Sequence, residues 1–144
     1  MSTNKVIKEV EVYCREHGIR FTDQRRMALE IISSSKKPLG AYDVLAEMGK
    51  QVENPKPTTV YRALDFLLEH AFIHKIESLN AFVVCHAGHS HEGSQFMVCD
   101  DCGKVEEVHL CHLPKDLKKK IDDTGFQLTR WNTEIHGTCN RCQP

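Results

Sequence analysis

The sequence lacks any long uninterrupted run of apolar residues. No run approaches the roughly 18 residues that a membrane-spanning helix needs, and the polar N-terminus has no apolar core of the kind found in secretory signal peptides. These absences predict a cytoplasmic protein with no membrane partner.

The sequence also lacks an excess of charge of one sign. The chain has 19 Lys and Arg against 20 Asp and Glu. The balance is similar in both halves, with 12 basic and 11 acidic residues over 1–85 and 7 and 9 over 86–144. Bulk charge therefore does not predict a nucleic-acid partner, and any DNA binding must depend on a local patch.

The motifs of the common zinc enzymes are missing as well. His91-Glu92 is not followed by the second histidine of His-Glu-x-x-His, because position 95 is Gln, and the chain contains no His-x-Glu of the deaminase type. We therefore expect no enzyme and no small-molecule substrate.

Cysteine usage indicates metal binding rather than disulfides. The chain has seven cysteines, an odd number, and a reducing cytosol keeps thiols reduced. Three cysteines and three histidines fall within residues 85–102, a density of thiolate and imidazole that suits zinc. Two Cys-x-x-Cys pairs, Cys99/Cys102 and Cys139/Cys142, predict a four-thiolate zinc site, since each turn holds one side of a tetrahedral metal.

Helical periodicity dominates the first half of the chain. Apolar residues at helical spacing predict a helix that ends at Gly18 and a second helix after the N-cap residue Thr22. A third helix is expected from about Ala41 to Gly49.

The fourth predicted helix, with an N-cap at Thr58 and an end near His70, has two distinct faces. Its apolar side chains share one arc of about 100°. The residues on the opposite arc are Thr58, Tyr61, Arg62, Asp65 and Glu69. A recognition helix presents its first turns to base edges, so Thr59, Tyr61 and Arg62 are candidate DNA contacts. The alternative is an ordinary amphipathic helix with a solvated face.

Two short strands are expected next, over Phe72–Glu77 and Ala81–Cys85, with a turn at residues 78–80. Four helices followed by a two-stranded hairpin indicate a winged helix, a variant of the helix-turn-helix. Lys75 on this wing is a candidate phosphate contact. The wing favours the DNA-binding interpretation of the fourth helix.

The same hairpin suggests a second metal site. If the hairpin is centred on residues 79–80, His74 lies directly opposite Cys85, with β-carbons about 4.5–5.5 Å apart. The expected further ligands are a histidine of the following loop and a carboxylate from Glu106 or Glu107. Of the remaining cysteines, Cys14 lies on the apolar stripe of the first helix and is expected in the core. Cys111, in His109-Leu-Cys111-His112, is expected to have a structural role, with ligation of a further metal as the alternative.

A small α/β unit is expected between the two Cys-x-x-Cys pairs, which 36 residues separate. The predicted strands are Gln95–Cys99, Lys104–Leu110 and Gln127–His136, and the predicted helix is Pro114–Thr124.

Six segments of the sequence together resemble the ferric uptake regulator superfamily, and most closely its zinc-sensing branch, the zinc uptake regulators. The segments follow one another in order through nearly the whole chain. They are Arg20-Phe-Thr-Asp-Gln-Arg25, Ala41-Tyr42-Asp43, Lys56-Pro-Thr-Thr-Val-Tyr-Arg-Ala-Leu64, the hairpin that ends at Cys85, Cys99-x-x-Cys102-Gly-Lys-Val-Glu-Glu107, and Ile135-His-Gly-Thr-Cys-x-x-Cys142.

The resemblance implies an α+β architecture. An N-terminal winged-helix DNA-binding domain is expected at residues 1–85, a hinge loop at 86–93 and a C-terminal α/β dimerisation domain at 94–144. It also implies two zinc ions per chain, a structural one on the four paired cysteines and a regulatory one at the hinge.

The regulatory ligands that the resemblance implies are His74, Cys85, His91 and Glu107. His89 is the alternative to His91, because the loop before Cys99 differs in length from the one expected. The resemblance also adds a DNA contact, Tyr42 at the start of the third helix.

The implied function is a zinc-responsive transcriptional repressor. It binds double-stranded operator DNA as a homodimer when the hinge site is filled, and it represses zinc-uptake genes. The sulfur of Cys85 favours zinc over iron or manganese, whose sensors use nitrogen and oxygen ligands. Peroxide-sensing members need a histidine from the DNA-binding domain, and no histidine lies between His17 and His70. The alternatives are an iron or manganese sensor of the same superfamily and a zinc-storage protein without DNA readout.

Overall fold

The structure is a computed structural model, and it describes residues 2–85, 93–108, 113–129 and 131–144. The chain has an α+β architecture and divides into two compact units, residues 1–88 and 89–144. Among the described residues, no helix is both long enough and apolar enough to cross a membrane.

The first unit begins with four helices: α1 (Thr3–Glu16), α2 (Asp23–Ser34), α3 (Ala41–Met48) and α4 (Pro57–Glu69). The predictions for the first three helices are confirmed. Gly18 follows α1 with φ of +66°, a left-handed conformation that suits glycine at this position. The Thr22 side chain accepts a hydrogen bond from the Arg25 N–H at 3.4 Å and so caps α2.

The expected start of α4 is wrong by two residues. The N-cap residue is Lys56, not Thr58, and Pro57 occupies the first helical position. A proline ring already has helical φ there, and its missing N–H would have had no intrahelical partner. The predicted polar arc of this helix is nonetheless confirmed, because all five of its residues are exposed.

A hydrophobic core joins the four helices to the hairpin that follows them. All four helices contribute, and the most deeply buried members, at no more than 1% exposure, include Leu29, Val44, Val60 and Leu67. Ile73 adds a side chain from the hairpin. This core fixes the outward direction of the polar arc of α4.

The wing consists of β1 (Ile73–Ile76) and β2 (Ala81–Val84), which pair antiparallel. Leu39, just before α3, pairs with Phe82 of β2, each N–H donating to the other's carbonyl at 3.2 and 2.7 Å. The wing is thereby attached to the segment that leads into α3. This arrangement of helices and wing confirms the predicted winged helix.

The second unit contains a three-stranded sheet of order β4–β3–β5 and one helix among its described residues. Its elements are β3 (Gly93–Cys99), β4 (Val105–Glu107), α5 (Lys115–Asp123) and β5 (Trp131–Gly137). The central strand β3 pairs antiparallel with β4 and parallel with β5. Phe96 and Val98 are buried, whereas Met97 between them is 43% exposed.

The predicted elements of the second unit exist, with shifted bounds. The last strand begins at Trp131 instead of Gln127, because its pairing with β3 starts at the pair Gly93–Trp131. The strand β4 ends at Glu107, short of the predicted Leu110, which lies outside the described residues. Gly93, the last residue of the expected hinge loop, is the first residue of β3.

Candidate functional site

Four cysteine sulfurs cluster at one edge of the sheet in the second unit. Cys99 ends β3 and Cys102 lies in the turn before β4, while Cys139 and Cys142 follow β5. All four sulfurs lie within 4.8 Å of one another. Because β3 and β5 are parallel neighbours, with Cys99 paired to Gly137, their carboxyl ends bring the two Cys-x-x-Cys turns together.

The spacing of these sulfurs fits zinc. Four sulfurs at a Zn–S distance of about 2.3 Å from a tetrahedral ion are separated by about 3.8 Å. The Cys102 and Cys139 sulfurs are 3.8 Å apart. No disulfide joins the six described cysteines. The donor set is therefore the four-sulfur arrangement typical of a closed structural zinc site.

The backbone around these turns stabilises thiolate. The N–H groups of Cys139 and Cys102 donate to the Cys99 sulfur and lower the pKa of this thiol to about 6. The Cys139 N–H lies 3.3 Å from that sulfur. In contrast, hydrogen bonds to the sulfurs of Cys139 and Cys102 raise the pKa of Cys142 to about 12. Ionisation of four thiols at this spacing would place like charges close together, and a bound cation would offset their repulsion.

The expected register of the wing hairpin is wrong. His74 pairs with Val83, not with Cys85, because the hairpin is centred between residues 78 and 79, with a connection over 77–80, and not on residues 79–80. A 3₁₀ turn over Glu77–Leu79, followed by the left-handed residue Asn80, forms this connection.

Despite the difference from the expected register, His74 and Cys85 lie on the same face of the hairpin. Cys85 lies two residues beyond Val83, the partner of His74, and side chains two residues apart project to the same side of a strand. Diagonal neighbours of this kind remain within reach of long side chains. A ring nitrogen of His74 and the sulfur of Cys85 accordingly lie within 4.8 Å of each other.

The other expected regulatory ligands are distributed as follows. Glu107 ends β4 and is half-buried, whereas Glu106 is exposed and forms an ion pair with Lys104. The loop histidines His91 and His89 lie outside the described residues, as does Cys111.

The candidate DNA contacts lie on the surface of the first unit. Tyr42, in the first turn of α3, is 75% exposed, and Tyr61 of α4 is 45% exposed. Arg62 is exposed and Thr59 half-buried. Lys75 on the wing has its ammonium 3.6 Å from the carboxylate of Glu77.

Tyr42 and Tyr61 lie side by side, a contact that sequence reasoning missed. Electrostatic interaction with Tyr42, together with desolvation and a hydrogen bond to the Tyr42 side chain, raises the pKa of the Tyr61 hydroxyl. The two tyrosines belong to different helices, so no local sequence pattern signals this contact. The structure thus places two of the candidate DNA contacts next to each other.

Comparison with known families agrees with these features. The model of the ferric uptake regulator family matches residues 16–136, which span α2 to α5, the wing and nearly all of the three-stranded sheet. The match includes the first Cys-x-x-Cys pair and ends three residues before the second. The chain belongs to the ferric uptake regulator family.

Within this family the chain is similar to zinc uptake regulators. It is 36% identical over 143 residues to the zinc uptake regulation protein of Escherichia coli (strain K12), covering 98% of this chain and 83% of that protein. A solved structure described as a zinc uptake regulator complexed with zinc and DNA is 36% identical, with a TM-score of 0.90 and coverage of 99% of this chain and 95% of that one. The structure of holo XcZur is 37% identical, with a TM-score of 0.86 and 98% of each chain covered.

Proposed function

We propose that this chain is a zinc-responsive transcriptional repressor, which binds operator DNA as a homodimer when its regulatory zinc site is filled and represses zinc-uptake genes. The observation that carries the proposal is the closeness of the His74 nitrogen and the Cys85 sulfur, within 4.8 Å, on the wing of a winged helix. A nitrogen–sulfur pair is a donor set that suits zinc, and its position on a DNA-binding element would couple zinc binding to DNA contact.

The proposal includes two zinc ions per chain. Cys99, Cys102, Cys139 and Cys142 would hold the structural one, which is supported by the sulfur spacing and by the four-thiolate donor set. A closed site of this kind supplies folding free energy, on the order of 10–16 kcal/mol in small zinc domains.

The second zinc is the regulatory one. We assign its ligands as His74, Cys85, Glu107 and a loop histidine, His91, with His89 as the alternative. The closeness of His74 and Cys85 supports the first two assignments. Glu107 is preferred to Glu106 because Glu106 already forms an ion pair with Lys104. This site would make the DNA-binding form depend on zinc.

Cys85 also helps to distinguish a zinc sensor from an iron or manganese sensor. Iron and manganese prefer nitrogen and oxygen ligands in regulatory sites, whereas a thiolate favours zinc. The similarity to zinc uptake regulators, one of them solved with zinc and DNA, supports the same choice. A zinc-storage protein would need neither a wing nor the exposed Tyr42 and Arg62.

DNA contact is assigned to five residues of the first unit: Tyr42, Thr59, Tyr61, Arg62 and Lys75. We propose that Arg62 reads base edges, because its guanidinium can pair bidentately with guanine in the major groove. Lys75 lies on the wing and would contact phosphate, which adds affinity without sequence preference.

Homodimerisation is assigned to residues 94–144, which belong to the second unit, and DNA binding to residues 1–85, which belong to the first. The helix α5 has no buried residue, although Leu117 and Ile121 lie one turn apart on it. Phe126 is 67% exposed and Ile135 of β5 is 49% exposed. A second copy of the chain would cover these apolar side chains and supply the core that one copy lacks.

The experiment is a mobility shift on DNA from upstream of zinc-uptake genes and on random DNA of equal length. The purified protein is tested with zinc, iron(II), manganese(II) or a chelator. We expect operator binding with zinc alone, at metal levels where iron and manganese have no effect. Binding that is equal with chelator and with zinc would refute the proposal.

The adjacent glutamates of β4 provide a matched control. Glu107→Gln removes a proposed ligand, whereas Glu106→Gln makes the same chemical change on a residue assigned to an ion pair. We expect Glu107→Gln to raise the zinc concentration needed for operator binding by about tenfold or more, and Glu106→Gln to leave it unchanged. The reverse result would move the carboxylate ligand to Glu106.

A further inference from the structure

A histidine bridges two carboxylates beside the four-cysteine cluster. His136 Nδ1 lies 2.9 Å from a carboxylate oxygen of Asp100, and His136 Nε2 lies 3.2 Å from one of Glu134. Glu134 and His136 are two residues apart on β5, so their side chains share one face of the strand. Asp100 lies in the first Cys-x-x-Cys turn, between Cys99 and Cys102.

Both ring nitrogens of His136 face carboxylates. A carboxylate accepts hydrogen bonds and does not donate them, so the ring satisfies both contacts when both of its nitrogens carry a proton. The hydrogen bond to Asp100 first, and that to Glu134 second, raise the pKa of His136. The Glu134 side chain is only 14% exposed, against 61% for Asp100, so Glu134 is the better anchored end of the bridge.

Two hydrogen bonds donated by backbone N–H groups join the same segments as this bridge. The Asp100 N–H donates to the carbonyl of Gly137 at 2.9 Å, one step past the last paired residues of β3 and β5. The Cys139 N–H donates to the Cys99 sulfur at 3.3 Å. The contact from Asp100 to His136 therefore adds a charge-assisted side-chain link where the two cysteine turns meet.

We propose that His136 is a positioning residue for the structural zinc site, holding the first Cys-x-x-Cys turn against the end of β5. Its anchor is Glu134 and its contact on the turn is Asp100. His136 is not itself a ligand, because both of its nitrogens donate to carboxylates. The inference rests on the proposed four-thiolate zinc site. It adds that this bridge maintains the spacing of the four sulfurs and thereby slows the loss of the metal.

The test measures metal loss from the zinc-loaded full chain. Transfer of zinc to an excess of a chromophoric chelator is followed over time. The phase that remains in Cys85→Ser, which lacks a proposed regulatory ligand, identifies the structural site. The variants are Asp100→Asn, His136→Gln and the double variant. Asp101→Asn is the matched control, since it makes the same change one residue along the same turn.

We expect Asp100→Asn and His136→Gln each to accelerate loss of the structural zinc by about three- to tenfold. Asp101→Asn should match the wild type. The double variant should be no faster than the faster single variant, because either change alone breaks the link. With cobalt(II) in place of zinc, the thiolate absorption of His136→Gln should equal that of the wild type, since all four ligands remain.

Three results would overturn the inference: equal rates for Asp100→Asn and Asp101→Asn, effects that multiply in the double variant, or loss of cobalt–thiolate absorption in His136→Gln. If His136→Gln does not fold, the comparison of the two aspartate variants decides alone. If Cys102→Ser removes no phase of zinc transfer that the wild type shows, the proposed four-thiolate zinc site itself is contradicted. This outcome is distinct from a failure of the bridge.

Discussion

Loss of one structural cysteine should unfold the second unit while leaving the first unit intact. The perturbation is Cys102→Ser, which removes one of four sulfurs that lie within 4.8 Å of one another. A hydroxyl is a poor zinc ligand beside three thiolates, so we expect the structural zinc to be lost.

The expected size of the effect follows from how little this unit buries. In its described part, Phe96 and Val98 are the only buried apolar side chains besides Cys99. Burying a side chain of this kind contributes about 1.5–3 kcal/mol, so the pair contributes roughly 3–6 kcal/mol. Zinc binding in a closed thiolate site contributes on the order of 10–16 kcal/mol. Ligation of the proposed structural zinc would therefore contribute more to the stability of this unit than its buried apolar side chains do.

The first unit should survive because its core is independent of the metal site. Among the described residues that core contains 19 buried side chains, all of them within residues 6–84. Limited proteolysis with mass spectrometry should give a resistant fragment close to residues 2–85, and size-exclusion chromatography should show a monomer. The control is Cys85→Ser, which should keep a folded dimer with the structural zinc in place. A dimeric Cys102→Ser protein with the thermal midpoint of the wild type would refute this reasoning.

Three further predictions concern the switch, the DNA surface and the core. Cys85→Ser should bind one zinc per chain by elemental analysis and should not bind operator at zinc levels sufficient for the wild type; normal repression would make Cys85 a packing residue. Arg62→Ala should lose about 1–3 kcal/mol on operator and little on random DNA, while Lys75→Ala should weaken both alike and reduce the salt dependence in a binding titration. Equal losses on both DNAs for Arg62→Ala would contradict base readout. Leu67→Ala, at a fully buried site, should lower the free energy of unfolding of the first unit by about 2–5 kcal/mol in a urea titration, and a loss below about 1 kcal/mol would show that the site collapses around the gap.

Much of this protein could be predicted from local sequence patterns. The apolar positions of α4 recur with the helical period, so the sequence alone identifies its outward residues, including Tyr61 and Arg62. The two Cys-x-x-Cys turns indicate their chemistry in the same way, because two thiols three residues apart can hold one side of a metal. The face shared by His74 and Cys85 was also predictable, since a register error of two residues preserves the alternation of a strand.

Tertiary structure decided what local patterns do not encode. The length of the wing turn set the register and moved Val83 opposite His74. The parallel pairing of β3 with β5 brought together two cysteine turns that 36 residues separate in the sequence, and the same pairing placed Asp100 beside His136. Periodicity records which side of an element faces the core, but it carries no information on which distant element packs beside it. That choice depends on pairing and burial across the whole unit, and the contacts of the candidate metal site depend on it.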